Sequence, residues 1–119
     1  METNDFGRFL RKKREQLREE DPAFSVRRVA ERVGLEPSYL SKIERGEEAP
    51  PSEEKIRALA KDLAEDPDVL LALAGKVSTD LQEIIRKRPA LFAELIREMR
   101  RMPDNAVLRL VREVRDGEW

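Results

Sequence analysis

Two residue types are missing from this chain altogether, cysteine and histidine. Without cysteine there are no disulfides and no thiolate metal sites. Without histidine, a zinc site would have to be built from carboxylates alone, a rare ligand set. The side chain that most often serves as general base near neutral pH is gone as well. Together these absences argue against an enzyme and against a metal or other cofactor. Aromatic residues are scarce, at 5%, and strand-like runs of Val, Ile and Thr do not occur, which counts against an all-β sandwich. No apolar run approaches the roughly 18 residues that suggest a transmembrane helix. The segment Met1 to Asp5 carries acids and has no apolar stretch of the kind a secretion signal needs. The expectation is a cytoplasmic protein with no membrane partner.

What is present points to helices. Hydrophobic residues make up 39% and charged residues 41% of the 119, a mixture suited to an all-α protein with small cores and charged faces. A first helix is predicted over about Asn4 to Glu20, with Phe6, Phe9, Leu10 and Leu17 on its apolar side, ended by Asp21-Pro22. Ser25 is a good N-cap for a second helix, Val26 to Val33, and Gly34 suits a left-handed turn after it. Pro37 is well placed in the first turn of a third helix, Pro37 to Arg45, closed by Gly46. After a turn through Glu47 to Pro51, Ser52 caps a fourth helix with a stripe of Ile56, Leu59, Ala60 and Leu63. Asp66-Pro67 opens a fifth, with Val69, Leu70, Leu71 and Leu73, which stops near Gly75. Five helices in residues 1–75 make a plausible domain.

Residues 76–119 differ in character. Thr79 and Gln82 match a capping box ahead of Leu81, Ile84 and Ile85. Pro89 opens a helix with Leu91, Phe92, Leu95, Ile96 and Met99 on one face. Pro103 opens another with Val107, Leu110, Val111 and Val114. Their apolar residues recur at helical spacing, yet the segment is too short for a large core of its own. It is expected to pack on the first domain, on a second copy of itself or on another protein, with Trp119 as a candidate anchor. The sequence contains no internal repeat and no low-complexity tract.

Net charge is −1, although nucleic-acid-binding domains are often basic. Screening confines a surface charge to about 10 Å at ordinary salt, so local distribution matters more than the sum. Residues 1–75 hold 14 basic and 17 acidic side chains, net −3, and residues 76–119 hold 10 and 8, net +2. Within the acidic part, Val26 to Lys42 is mildly basic, with Arg27, Arg28, Arg32 and Lys42 against Glu31 and Glu36. The run Glu19-Glu20-Asp21 reads as solvated charge rather than as acid or metal chemistry.

The third helix carries the functional signal. At about 100° per residue, Ser38, Ser41, Lys42 and Arg45 share a sector of roughly 100°, while Leu40 and Ile43 lie opposite. Small hydroxyls beside one lysine let a helix approach base edges closely. Serine bonds several bases, and lysine favours guanine O6 and N7. Two short helices joined at a glycine turn, the second with such a face, form a helix-turn-helix.

The whole run Ser25 to Gly46, with Tyr39-Leu40-Ser41-Lys42-Ile43-Glu44-Arg45-Gly46 as its clearest part, resembles the Cro and lambda-repressor-like helix-turn-helix family, the XRE-type regulators. Pro51 and the helix Ser52 to Leu63 extend the likeness, which covers about residues 6 to 74. It implies a five-helix DNA-binding domain in residues 1–75. It places Ser38 and Lys42 where bases are read, Pro37 and Ser41 beside them, and Tyr39 and Arg45 at phosphates. It also implies a structural ion pair between Arg14 and Glu44. In two respects the chain departs from the pattern. Val26 stands where a glutamine usually approaches the DNA backbone, leaving Arg27 and Arg28 as candidates for that contact. The first helix is also longer, with Arg18 to Ala23 added before Phe24.

These readings combine into one expectation. The protein is a sequence-specific transcriptional regulator on double-stranded DNA, a repressor that binds a palindromic operator as a homodimer through residues 76–119. The alternative is an antitoxin or partner-regulated protein whose C-terminal helices bind a second protein.

Overall fold

The computed structural model describes residues 5–117. All regular structure in that span is helical, as expected: α1 (Asp5–Arg18), a 3-10 turn (Pro22–Phe24), α2 (Val26–Val33), α3 (Pro37–Glu44), α4 (Glu53–Asp62), α5 (Pro67–Leu73), α6 (Thr79–Lys87), α7 (Pro89–Met99) and α8 (Asp104–Asp116). The chain divides into two compact units, residues 1–78 and 79–119.

Local chemistry places the helix starts. Ser25 Oγ accepts from the Arg28 amide at 3.2 Å, Ser52 Oγ from Lys55 at 3.4 Å, and the Asp66 carboxylate from Asp68 at 2.8 Å. Each satisfies one of the amides that a helix N-terminus leaves without a partner. Pro37, Pro67 and Pro89 stand in first turns, where a missing N–H costs nothing.

In the first unit, α1 packs on α3 and α5, α2 on α3 and α4, and α4 on α5. Their shared core is buried and apolar: Phe6 and Leu10 from α1, Val29, Ala30 and Val33 from α2, Leu40 and Ile43 from α3, Ile56, Leu59 and Ala60 from α4, and Leu70 and Leu71 from α5. Two ion pairs tie this unit together at its edges. Arg32 on α2 meets Asp62 at the end of α4 through two bonds of 2.7 and 3.0 Å. Lys13 on α1 meets Glu65 at 3.3 Å.

Several boundaries differ from the sequence expectation, each for a visible reason. α1 ends at Arg18 rather than Glu20, because the amides of Glu20 and Asp21 both turn back to the Leu17 carbonyl. Asp21 then accepts from the Ala23 amide at 2.9 Å and opens the 3-10 turn. Asn4, the expected start of α1, lies outside the described residues, as does Trp119. α3 ends at Glu44, since Gly46 adopts φ +77° directly after the Arg45 cap. Pro103 precedes α8 instead of beginning it. Val69, expected on the apolar stripe of α5, is 49% exposed, and Leu70 and Leu71 supply that helix's buried side chains.

In the second unit, α6 and α7 pack on each other. None of α6, α7 and α8 holds a buried residue. Apolar side chains along all three are open to solvent, Ile84 at 57%, Leu91 at 64% and Val114 at 54% among them. Ile84, Ile85, Leu91, Phe92 and Leu95 line a recess of about 200 Å³ on this unit.

Candidate nucleic-acid interface

The interface is built on α2, α3 and the three residues between them. Gly34 turns the chain with φ +76° and ψ 37°, in the left-handed region. Its amide and that of Leu35 return to the carbonyls of Glu31 and Ala30 and close α2. That backbone conformation favours glycine, and a Cβ at residue 34 would stand 2.7 Å from Lys55 Nζ, so the tip of that lysine would have to shift. That ammonium is engaged, donating to the Val33 carbonyl at 3.1 Å. Leu35 packs on the core and Glu36 opens α3.

α3 is held from behind and from one side. Leu40 and Ile43 anchor its buried face, each 1% exposed. Arg14 Nε and Nη2 donate to the two oxygens of the Glu44 carboxylate at 2.7 and 2.9 Å, and Arg14 Nη1 donates to the Phe24 carbonyl at 3.2 Å. Both side chains are buried, so this forked pair fixes the position of α3 against α1. The hydrogen bonds to Glu44 raise the Arg14 pKa above the ordinary arginine value, against the opposing effect of burial. The hydrogen bond to Asp62 does the same for Arg32. With raised values, what each arginine contributes to stability through its charge is fully present below the ordinary arginine pKa. It is lost only as pH rises through the folded-state value.

The opposite face of α3 is open. Ser38 and Lys42 are exposed, and within the described residues neither side chain has a hydrogen-bond or ion-pair partner. Ser41 is half-buried and its hydroxyl accepts from Arg45 Nη1 at 2.5 Å. Arg45 Nε is in close contact with the Glu47 carboxylate across the turn. Pro37 is half-buried at the start of the helix, and the Tyr39 ring packs against the rim of the core. On α2, Arg28 is exposed and its side chain has no partner among the described residues, while Arg27 makes a surface pair with Glu31 at 3.4 Å. Arg32 leaves the basic face that the sequence suggested. It bonds Asp62, donates to the Ala23 carbonyl at 2.6 Å and lies 5.0 Å from the Phe24 ring centre.

Two short helices meeting across a glycine turn, the second braced by a buried ion pair and bare on its outer face, suit insertion into a DNA major groove. A comparison with known families decides the class: the helix-turn-helix domain family matches residues 5–73. The chain belongs to the helix-turn-helix domain family. The match spans α1 to α5 and agrees with the Cro and lambda-repressor-like resemblance of Ser25 to Gly46. No curated protein and no solved structure matches the chain. α2 and α3, joined through Gly34, lie within the matched span.

Two residues near the helix-turn-helix escaped the sequence reading. Arg11 and Arg18 flank Arg14 at helical spacing on α1, and because Arg14 touches Glu44, that stripe runs beside α3. The spacing was legible in the sequence, but which neighbour the stripe faces was not. Glu19 and Glu20 are exposed, and Asp21 caps the 3-10 turn. Among the described residues no cluster of carboxylates is arranged to hold a metal ion.

Proposed function

We propose that this protein is a sequence-specific transcriptional repressor that occupies a palindromic operator as a homodimer. The observation that carries this reading is the division of labour among the polar side chains around α3. Arg14 and Arg32 are consumed in fixing the scaffold, while Ser38 and Lys42 are left free at the front of the recognition helix. In this reading Ser38 and Lys42 meet base edges, with Pro37 and Ser41 beside them. Tyr39, Arg45, Arg27 and Arg28 meet phosphates. One recognition helix reads only a few base pairs, so two copies with their α3 helices about 34 Å apart supply the needed specificity. The uncovered apolar faces of α6, α7 and α8 support dimerisation through residues 79–119, since full burial of a Leu, Ile or Val is worth about 1.5–3 kcal/mol and these side chains are only partly covered.

Selection of bound sites from random duplex DNA tests the proposal. Enrichment of an approximate palindrome with half-sites one helical turn apart is the expected result. Absence of any enrichment at low salt overturns it.

The same apolar faces favour a second reading, in which they bind another protein and the chain is an antitoxin or a partner-regulated repressor. Light scattering of the purified chain separates the two. A stable dimer agrees with the first, and a monomer that persists at high concentration agrees with the second.

A further inference from the structure

Val26 leaves the start of α2 without the polar side chain that the family resemblance places against the DNA backbone. The surroundings of Val26 show what stands there instead. A recess of about 260 Å³ opens between α1, the start of α2 and α3, with Arg11, Arg18, Val26, Ser41 and Arg45 in its walls above the Arg14–Glu44 pair. A water molecule occupies about 30 Å³ in the liquid, so the recess has room for a group of several heavy atoms.

The charges around it are unevenly committed. Two carboxylates also line the recess, and each has a partner: Glu44 is matched by Arg14 at 2.7 Å and Glu15 by Arg11 at 3.1 Å, which leaves the four arginines in excess. Arg45 is turned toward Ser41, to which it donates, and toward Glu47. Arg18 has no hydrogen-bond or ion-pair partner within the described residues, and it stands in the last turn of α1. Val26, the first residue of α2, lines the same recess, and Ser25 Oγ is occupied by the Arg28 amide. Ser41 and Arg45 belong both to this recess and to the outer face of α3, so a group seated here lies at the flank of whatever α3 reads.

We propose that this recess is a seat for one phosphodiester of the DNA backbone, held chiefly by Arg18 with Arg45 opposite. On this view the longer first helix has a purpose: it carries Arg18 to the position that Val26 vacates. Arg27 and Arg28, the candidates suggested by the sequence, do not line the recess. The inference rests on the proposal that α3 docks on duplex DNA.

The test uses the full chain, a duplex carrying the selected site and a random-sequence duplex of equal length, titrated over a range of salt. Arg18→Ala is expected to weaken both duplexes alike, by roughly tenfold. The slope of log K against log salt should fall by about 0.9, the signature of one lost phosphate contact. Arg18→Lys should keep the slope, and Val26→Gln added to Arg18→Ala should recover part of the affinity. An unchanged melting temperature for Arg18→Ala shows that the loss is not one of folding. Wild-type affinity and slope in Arg18→Ala, while Lys42→Ala loses binding, would overturn the seat and leave DNA binding intact. Binding of inorganic phosphate that depends on Arg18, with DNA affinity unaffected, would likewise overturn it in favour of a free anion. A wild-type chain that binds neither duplex at low salt would remove the DNA-binding reading and the seat together.

Discussion

At the scale of single residues, the same side-chain type does opposite work depending on what meets it. Arg14, Arg18 and Arg32 are equal in the sequence. In the fold Arg14 is a buried brace, Arg32 a clasp to Asp62 and Arg18 a cation without a partner among the described residues. Only the first two are structural, and the difference is large in energy. Glu44→Gln leaves the Arg14 guanidinium buried, 4% exposed, without its counter-charge. Breaking a buried pair from one side costs about 3–5 kcal/mol, so this variant should lose a substantial part of the unit's stability in urea denaturation. Arg27→Ala removes an exposed pair with Glu31 and should cost well under 1 kcal/mol in the same measurement. A Glu44→Gln protein as stable as wild type would show that the brace is not needed to hold α3. The pairing of Arg14 with Glu44 was implied by the family resemblance, whereas that of Arg32 with Asp62 had no signature in the sequence. Thirty positions separate its partners, and only the packing of α2 on α4 brings them together.

At the scale of elements, four consecutive helices end in the same way. After α2, α3, α4 and α5 the chain passes through a left-handed residue, and the next amide reaches back to close the last turn, as Leu35 does to Ala30 and Glu65 to Ala60. Three of the four positions are glycine: Gly34, Gly46 and Gly75. The fourth is Ala64, with φ 57°. The glycines mark three of these turns in the sequence, while nothing in alanine's chemistry marks the fourth, where the helix expected over Ser52 to Leu63 ends at Asp62. Ala64 pays about 1–2 kcal/mol for that conformation, and glycine loses 0.5–1 kcal/mol more backbone entropy on folding. Ala64→Gly is therefore expected to stabilise the protein by roughly 0.5–1 kcal/mol, read as a higher urea midpoint with an unchanged slope. A lower midpoint would show that the methyl group's contacts outweigh the backbone term.

At the scale of the whole molecule, the two units contrast in how far they bury their apolar faces. The first encloses thirteen hydrophobic side chains in one core, while α6, α7 and α8 enclose none. If residues 79–119 join two copies, a fragment of residues 1–78 should fold, remain monomeric in light scattering and bind the selected duplex more weakly. Joining two sites raises affinity by about 10²–10⁴-fold, so a loss of at least 10²-fold is expected in a fluorescence anisotropy titration. A fragment that binds as tightly as the full chain would remove the C-terminal helices from DNA recognition.

The sequence by itself determined the helical class, the N-caps at Ser25, Ser52 and Asp66, the turn at Gly34 and the polar face of α3. Each depends on a few neighbouring residues, whose rotamers, caps and spacing act locally. Only the tertiary structure decided which charges in and around Ser25 to Gly46 remain available. Arg32 is spent on Asp62, Arg14 on Glu44, and Arg18 is brought beside Val26, through contacts that join distant stretches of chain. Whether a charge is free depends on its partner, and partners of that kind are chosen by packing rather than by spacing along the chain.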